Sequence, residues 1–169
     1  MKHIFYHLAA VMVVVVWGMT FISTKVLIVH GLSPQEIFLF RFLLAYAAVC
    51  PISFHRFFAR NLKDELYLVG GGVLGGSLFF FLQNMALGLT QASNVSFIIC
   101  TTPLLTAALT VLSVRTEKLS RGFIHGSIVA LLGVGLLIFN GSFILRISPL
   151  GDLLTLLASL SWAFYSLVI

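Results

Sequence analysis

From Leu66 to Val114 the chain runs 49 residues without an Asp, Glu, Lys or Arg. As one continuous helix, at about 1.5 Å per residue, that run would reach roughly 74 Å. The hydrocarbon core of a bilayer is only about 30 Å thick. The run must therefore turn back on itself. Gly88-Leu89-Thr90-Gln91-Ala92-Ser93-Asn94 is its one polar, turn-forming patch. The pattern predicts two antiparallel membrane helices joined by a very short loop.

Composition agrees. Hydrophobic residues make up 60% of the chain and charged residues 9%, against about 45–50% and 25% in soluble domains. Such a chain cannot cover itself with a polar surface. The formal charge of +5 does not imply a nucleic-acid partner, because Lys and Arg are spread along short loops instead of forming a basic stripe. Cys50 and Cys100 lie in apolar segments without metal-ligand spacing, and no disulfide is implied. The N-terminal stretch Ile4–Thr24 is 21 uncharged residues. That is too long for a signal-peptide core, and no A-x-A site follows, so it reads as a retained span.

Six apolar segments stand out, at about Tyr6–Val29, Ser33–Phe54, Leu66–Leu89, Asn94–Val114, Arg121–Gly141 and Gly151–Ile169. Each must satisfy its own backbone hydrogen bonds in lipid, so each is expected to be a helix. The fold class is an all-α integral membrane protein of about six transmembrane helices. Arg56, Arg60 and Lys63 sit in one loop and Arg115, Lys118 and Arg121 in another; with Lys2, one side carries seven basic residues and the other only Arg146. The positive-inside rule then places the N-terminus and both basic loops in the cytoplasm and the protein in the cytoplasmic (inner) membrane. Ser33-Pro34-Gln35-Glu36 has the form of a capped helix start, with Ser33 at N-cap, Pro34 at N1 and Glu36 at N3. Ser148-Pro149 precedes the sixth span. Tyr67, Trp162 and Tyr165 are candidate interfacial aromatics, although Trp162 falls deep in its segment.

Five spans carry the chain from one side to the other, so a unit beginning at the sixth would be inverted, as in many secondary transporters. Ser161-Trp162-Ala163-Phe164-Tyr165-Ser166 can be laid on Val16-Trp17-Gly18-Met19-Thr20-Phe21. The expected organisation is residues 1–141 as a five-helix repeat and 151–169 as the first helix of a second. Because the last apolar segment ends at Ile169 without a polar flank, the sequence reads as a fragment or a truncated frame.

Several polar residues fall inside spans. Lys25 and Arg41 lie at similar depth on antiparallel neighbours. They form either a positive patch for an anionic substrate or a snorkelling lysine and an arginine paired at a helix end. Gln83 and Asn84 are deep amides that need partners, either substrate or neighbouring helices. Thr101 and Thr102 precede Pro103, which frees a carbonyl near mid-membrane and is a candidate hinge. Trp17, Thr20 and Thr24 share a helix face, lining a pocket or packing between helices. Gly71/Gly75 and Gly72/Gly76, with Gly126, Gly133 and Gly135 on the fifth span, allow close helix approach. The five His residues have no ligand spacing, so no metal and no cofactor is expected. Asp152 suits the N-terminal dipole of the sixth helix.

A set of short motifs runs along the chain: Trp17-Gly18-Met19-Thr20-Phe21, Arg41-Phe42-Leu43-Leu44-Ala45, and Ala86-Leu87-Gly88-Leu89-Thr90-Gln91-Ala92-Ser93 followed by Thr102-Pro103. Glu117-Lys118-Leu119 with Gly126 and Gly133-Val134 completes it. In this order and spacing the set resembles the EamA-type transporters of the drug/metabolite transporter superfamily. The resemblance implies ten helices in two inverted five-helix repeats and carriage of small organic metabolites or drugs by a permease. This chain departs in having only the first helix of the second repeat. The expected partners are the lipid bilayer, a small-molecule substrate, and a second half or a homo-oligomer. A non-transporting membrane subunit or scaffold bundle is the alternative. An enzyme is disfavoured, since Glu36, Asp64, Glu65, Glu117 and Asp152 all lie at or near loops and form no catalytic pair.

Overall fold

A computed structural model of the chain describes residues 2–53, 61–113, 119–139 and 148–168. Among these the regular structure is entirely helical. The elements are α1 (Lys2–Val29), α2 (Pro34–Ser53), α3 (Leu62–Gly71), a π-helical segment (Gly72–Leu78), α4 (Phe79–Leu89), α5 (Ala92–Ile99), α6 (Thr102–Ser113), α7 (Arg121–Phe139) and α8 (Pro149–Val168). Five helical stretches are long and apolar enough to cross a membrane: Ile4–Val29, Pro34–Ser53, Leu62–Leu89, Ala92–Ser113 and Pro149–Val168. The remaining apolar helix, α7, has 19 residues. The helix limits expected at Phe54, Val114, Gly141 and Ile169 lie outside the described residues. The third span begins at Leu62, a turn earlier than its apolar run, because Lys63, Asp64 and Glu65 continue the helix beyond the hydrophobic stretch.

The connection between α1 and α2 is fixed by local chemistry. Gly31 adopts φ 99°, a conformation open to glycine at little steric cost. Its N–H donates to Ile28 O (3.0 Å), and the Leu32 N–H donates to Leu27 O (3.1 Å). These two bonds make a Schellman motif that closes α1. The next residues open α2. The Ser33 N–H and hydroxyl both donate to Glu36 Oε2 at 2.8 Å, and the Glu36 N–H donates to Ser33 Oγ at 3.3 Å. The reciprocal cap expected from Ser-Pro-Gln-Glu is thus present. Replacing Ser33 by Ala removes the two bonds made by the hydroxyl and leaves only that from the backbone N–H. A loss of about 1 kcal/mol is expected, measurable as a lower unfolding midpoint in detergent.

Two interruptions shape the interior. The glycine-rich stretch in the third span winds as a π-helix, whose wider turns expose carbonyls. Ser161 of α8 donates to one of them, Leu74 O, at 2.7 Å. The Tyr165 ring packs on Gly75 so closely that a Cβ there would lie 2.6 Å from it. By contrast, a Cβ on Gly72 would meet nothing within 4 Å, so the two glycine pairs do not serve the same purpose. The fourth span breaks at Cys100–Thr101, just before Pro103. Proline has no N–H to offer the preceding turn. The chain closes the gap with shorter bonds, Thr101 N–H to Ile98 O (3.0 Å) and Leu104 N–H to Thr101 O (2.9 Å).

Helix α8 is the centre of the bundle. It packs most extensively on α4 and also touches α5, α6 and the π segment. Its inward stripe is made of small residues, among them Gly151, Thr155, Ala158, Ser159 and Ala163. Such a stripe allows close approach where lipid gives no hydrophobic drive for association. The ends alternate as an antiparallel bundle requires. Gly88 at the end of α4 meets Pro34 at the start of α2, and Gly151 at the start of α8 meets Thr90 at the start of the α4–α5 corner.

Candidate functional site

The α4–α5 corner organises one end of the bundle. Leu87 and Thr90 present carbonyls at the C-terminal end of α4, where backbone acceptors lack helical partners. Lys25, reaching across from α1, donates to both, at 2.7 Å to Leu87 O and 2.8 Å to Thr90 O. A cation at the negative end of a helix is also favoured by the dipole. The Thr90 hydroxyl donates to Asp152 Oδ1 at 3.5 Å and accepts from Asn94 Nδ2 at 3.3 Å. Asp152 in turn accepts the Ser148 N–H at 3.2 Å, capping α8. Thr90 therefore ties α1, α4, α5 and α8 together. This end is packed shut around side chains that are 6% (Thr90) and 8% (Asn94) exposed.

Away from that end lies a cavity of about 960 Å³ between α1, α4, α5, α6, α7 and α8. Its α1 wall is Val14, Trp17, Gly18 and Phe21, spaced i, i+3, i+4, i+7 and hence on one helix face. Its α7 wall includes Gly122, Gly126 and Ala130, a stripe at i, i+4, i+8 whose small side chains leave the space open. Thr102, Pro103 and Leu104, the first residues of α6, form another side. An aromatic cluster makes a further part of the wall. Trp17 and Trp162 have ring centroids 5.7 Å apart, Phe79 and Trp162 4.8 Å, and Trp17 and Phe79 6.5 Å. The cavity extends to Gly122 and Phe123, where α7 begins, and none of its described lining residues belongs to the Thr90 end.

The residues singled out from sequence are distributed unevenly over this geometry. Trp17, Thr102 and Pro103 line the cavity. Thr20 donates to Trp17 O within its own helix (2.6 Å), and Thr101 does the same to Ile98 O (2.6 Å). Thr24 is buried, at 2% exposure. Lys25 is engaged at the closed end. Arg41 packs its guanidinium 5.6 Å from the centre of the Phe80 ring, on the α2 side of α4. Gln83 and Asn84 are each 1% exposed. They lie outside the cavity lining, and Gln83 Nε2 and Oε1 and Asn84 Oδ1 find no hydrogen-bond partner among the described residues. Ser159 Oγ on α8 is in the same state. Sequence reasoning missed Phe79 and treated Trp162 as a candidate interfacial residue. The comparison of Trp162 with Trp17 was the signal that could have placed it, since the two rings touch. Cys50 and Cys100 are both free thiols, and Cys100 lines the cavity.

Membrane-length helices around a partly open chamber make this a multi-pass membrane protein with room for a small molecule. The chain belongs to the EamA-like transporter family, whose model matches residues 4–139. Comparison with curated proteins and with solved structures finds no significant match.

Proposed function

We propose that the protein is a secondary transporter of small organic metabolites or drugs and that the chamber beside Trp17, Phe79, Thr102 and Trp162 is where the substrate sits. The observation that carries this reading is the chamber itself. It is large enough for a drug-sized molecule, for which pockets run to about 300–1,000 Å³. It also reaches one end of the bundle, while Lys25, Thr90 and Asp152 hold the other end together. In a carrier this is the arrangement of a state open to one side. With the basic loops in the cytoplasm of the inner membrane, the open end faces the cell interior and the Thr90 end faces outward. Residues 1–141 form one five-helix repeat, and α8 starts an inverted second one. In support, Trp17 and Trp162 meet from helices that run in opposite directions. The Cys100–Thr101 break before Pro103 supplies the hinge. Trp17 and Thr102 contact substrate directly. Thr20, Thr24, Gln83, Asn84 and Thr101 lie along the path that opens as the helices move, and Lys25 and Arg41 hold helices in place.

Filling the chamber tests the reading. Gly126 lines the chamber and a Cβ there meets nothing within 4 Å, so Gly126→Phe is the substitution chosen to occupy that space. Cells expressing the protein are expected to accumulate or expel at least one member of a panel of metabolites and drugs differently from controls. The Phe variant is expected to weaken that difference by about tenfold or more, equivalent to ~1.4 kcal/mol of lost binding. Unchanged transport in a variant that folds like the parent would remove the chamber from the pathway.

A further inference from the structure

We infer that the chamber selects an uncharged, planar organic molecule and turns away organic anions and cations of the same shape. The inference rests on the reading of the chamber as the substrate site and goes beyond it by naming the substrate class. Among the described lining residues there is no Asp, Glu, Lys, Arg or His. A charged group entering such a space would lose its hydration and gain no counter-charge, which is the costliest form of burial. Three charged side chains within or at the ends of the described spans lie outside this lining. The Lys25 ammonium bonds to Leu87 O and Thr90 O. The Arg41 guanidinium lies against Phe80, and Asp152 caps α8 beside Thr90.

The two attractive features that remain do not reverse this. The C-terminal end of α5, at Ile99, and the N-terminal end of α6, at Thr102, meet at this wall, so their opposite partial charges largely offset each other. What remains is too weak to replace the hydration of a full ion. The two tryptophan rings, both in the lining, offer aromatic surface to a flat partner. Thr102, Thr106 and Ser127 add hydroxyls to the wall. A flat, uncharged body with one or two polar atoms suits a lining of apolar and aromatic side chains with a few hydroxyls.

The chain has two tryptophans, and both line the chamber, so intrinsic fluorescence reads its occupancy. The probes are 4-nitrobenzamide, 4-nitrobenzoate and 4-nitrobenzylammonium, three quenchers with one ring and different charge. They are titrated into the purified full chain at neutral pH, and into Gly126→Phe and Gly18→Phe. At both glycines an added Cβ meets nothing within 4 Å, so either variant serves if the other fails to fold. The amide is expected to quench saturably, at a half-saturating concentration about tenfold or more below that of either ion. Saturation is expected to vanish in the filled variants. Equal or tighter saturable quenching by the benzoate or the ammonium, lost on filling, would overturn the charge selection while leaving the chamber as the binding site. Absence of filling-sensitive quenching by all three would overturn the chamber reading itself.

Discussion

Lys25→Met is expected to destabilise the folded protein by about 3 kcal/mol or more, because hydrogen bonds to a charged donor contribute about 1.5–3 kcal/mol each and this ammonium makes two. The loss is compounded because Met cannot satisfy the Leu87 and Thr90 carbonyls, which would be left at the end of α4 beside apolar surroundings. For a chain of this size each kcal/mol corresponds to about 2–4 °C, so the unfolding midpoint in detergent should fall by about 6–12 °C. Lys25→Gln keeps a donor and should lose less. The sequence alone left Lys25 open to a different role, as an attractor for an anionic substrate. That role predicts the reverse pattern: a large loss of transport of anions with an unchanged midpoint. Observing it would end the view of Lys25 as a brace.

The second large effect is expected at Gly75. A Cβ at this position would stand 2.6 Å from two atoms of the Tyr165 ring and 2.9 Å from a third. Inserting a methyl group into a well-packed interface costs about 1–3 kcal/mol, so Gly75→Ala should destabilise by about 2 kcal/mol. Gly75→Val should separate α8 from the π segment and break the Ser161–Leu74 bond as well. Combining Gly75→Ala with Tyr165→Leu should restore most of the loss, because the clash is with that ring. A double-mutant cycle on the unfolding midpoint measures this coupling. Purely additive effects would mean that Gly75 matters for its backbone and not for the room it leaves.

Much of this architecture is legible in the sequence, for definable reasons. A charge-free run longer than a bilayer must fold back, and the corner falls at Thr90–Gln91, inside the polar patch. The Ser33–Glu36 cap is encoded within four residues, so local chemistry sufficed. The π segment was not readable. One of its carbonyls is claimed by Ser161, 87 residues away, and a contact at that distance leaves no periodic signal. The same segment hid Phe79. A π turn changes the phase of the helix that follows it, so counting along the sequence could not show which of Phe79, Phe80 and Phe81 faces inward. Phe79 is 1% exposed, whereas Phe81 is 38% exposed. Lys25 was legible as an unusual cation at a certain depth. Its partners were not, because they are backbone atoms of a different helix. The amides Gln83 and Asn84 are as deeply buried as their place in the span implied, but neither lines the chamber, and neither side-chain polar atom of Gln83 has a partner among the described residues.

The proposed chamber opens toward the end where α7 begins and is shut at the Thr90 end. Cys100 is exposed and lines that chamber, which makes it a native reporter once Cys50 is replaced by Ala. The decisive measurement is labelling of Cys100 by a membrane-impermeant maleimide in sealed vesicles of both orientations. Modification only from the face that carries the loop before Arg121 is the predicted result. Modification from the face that carries Thr90, or from neither face, would contradict it.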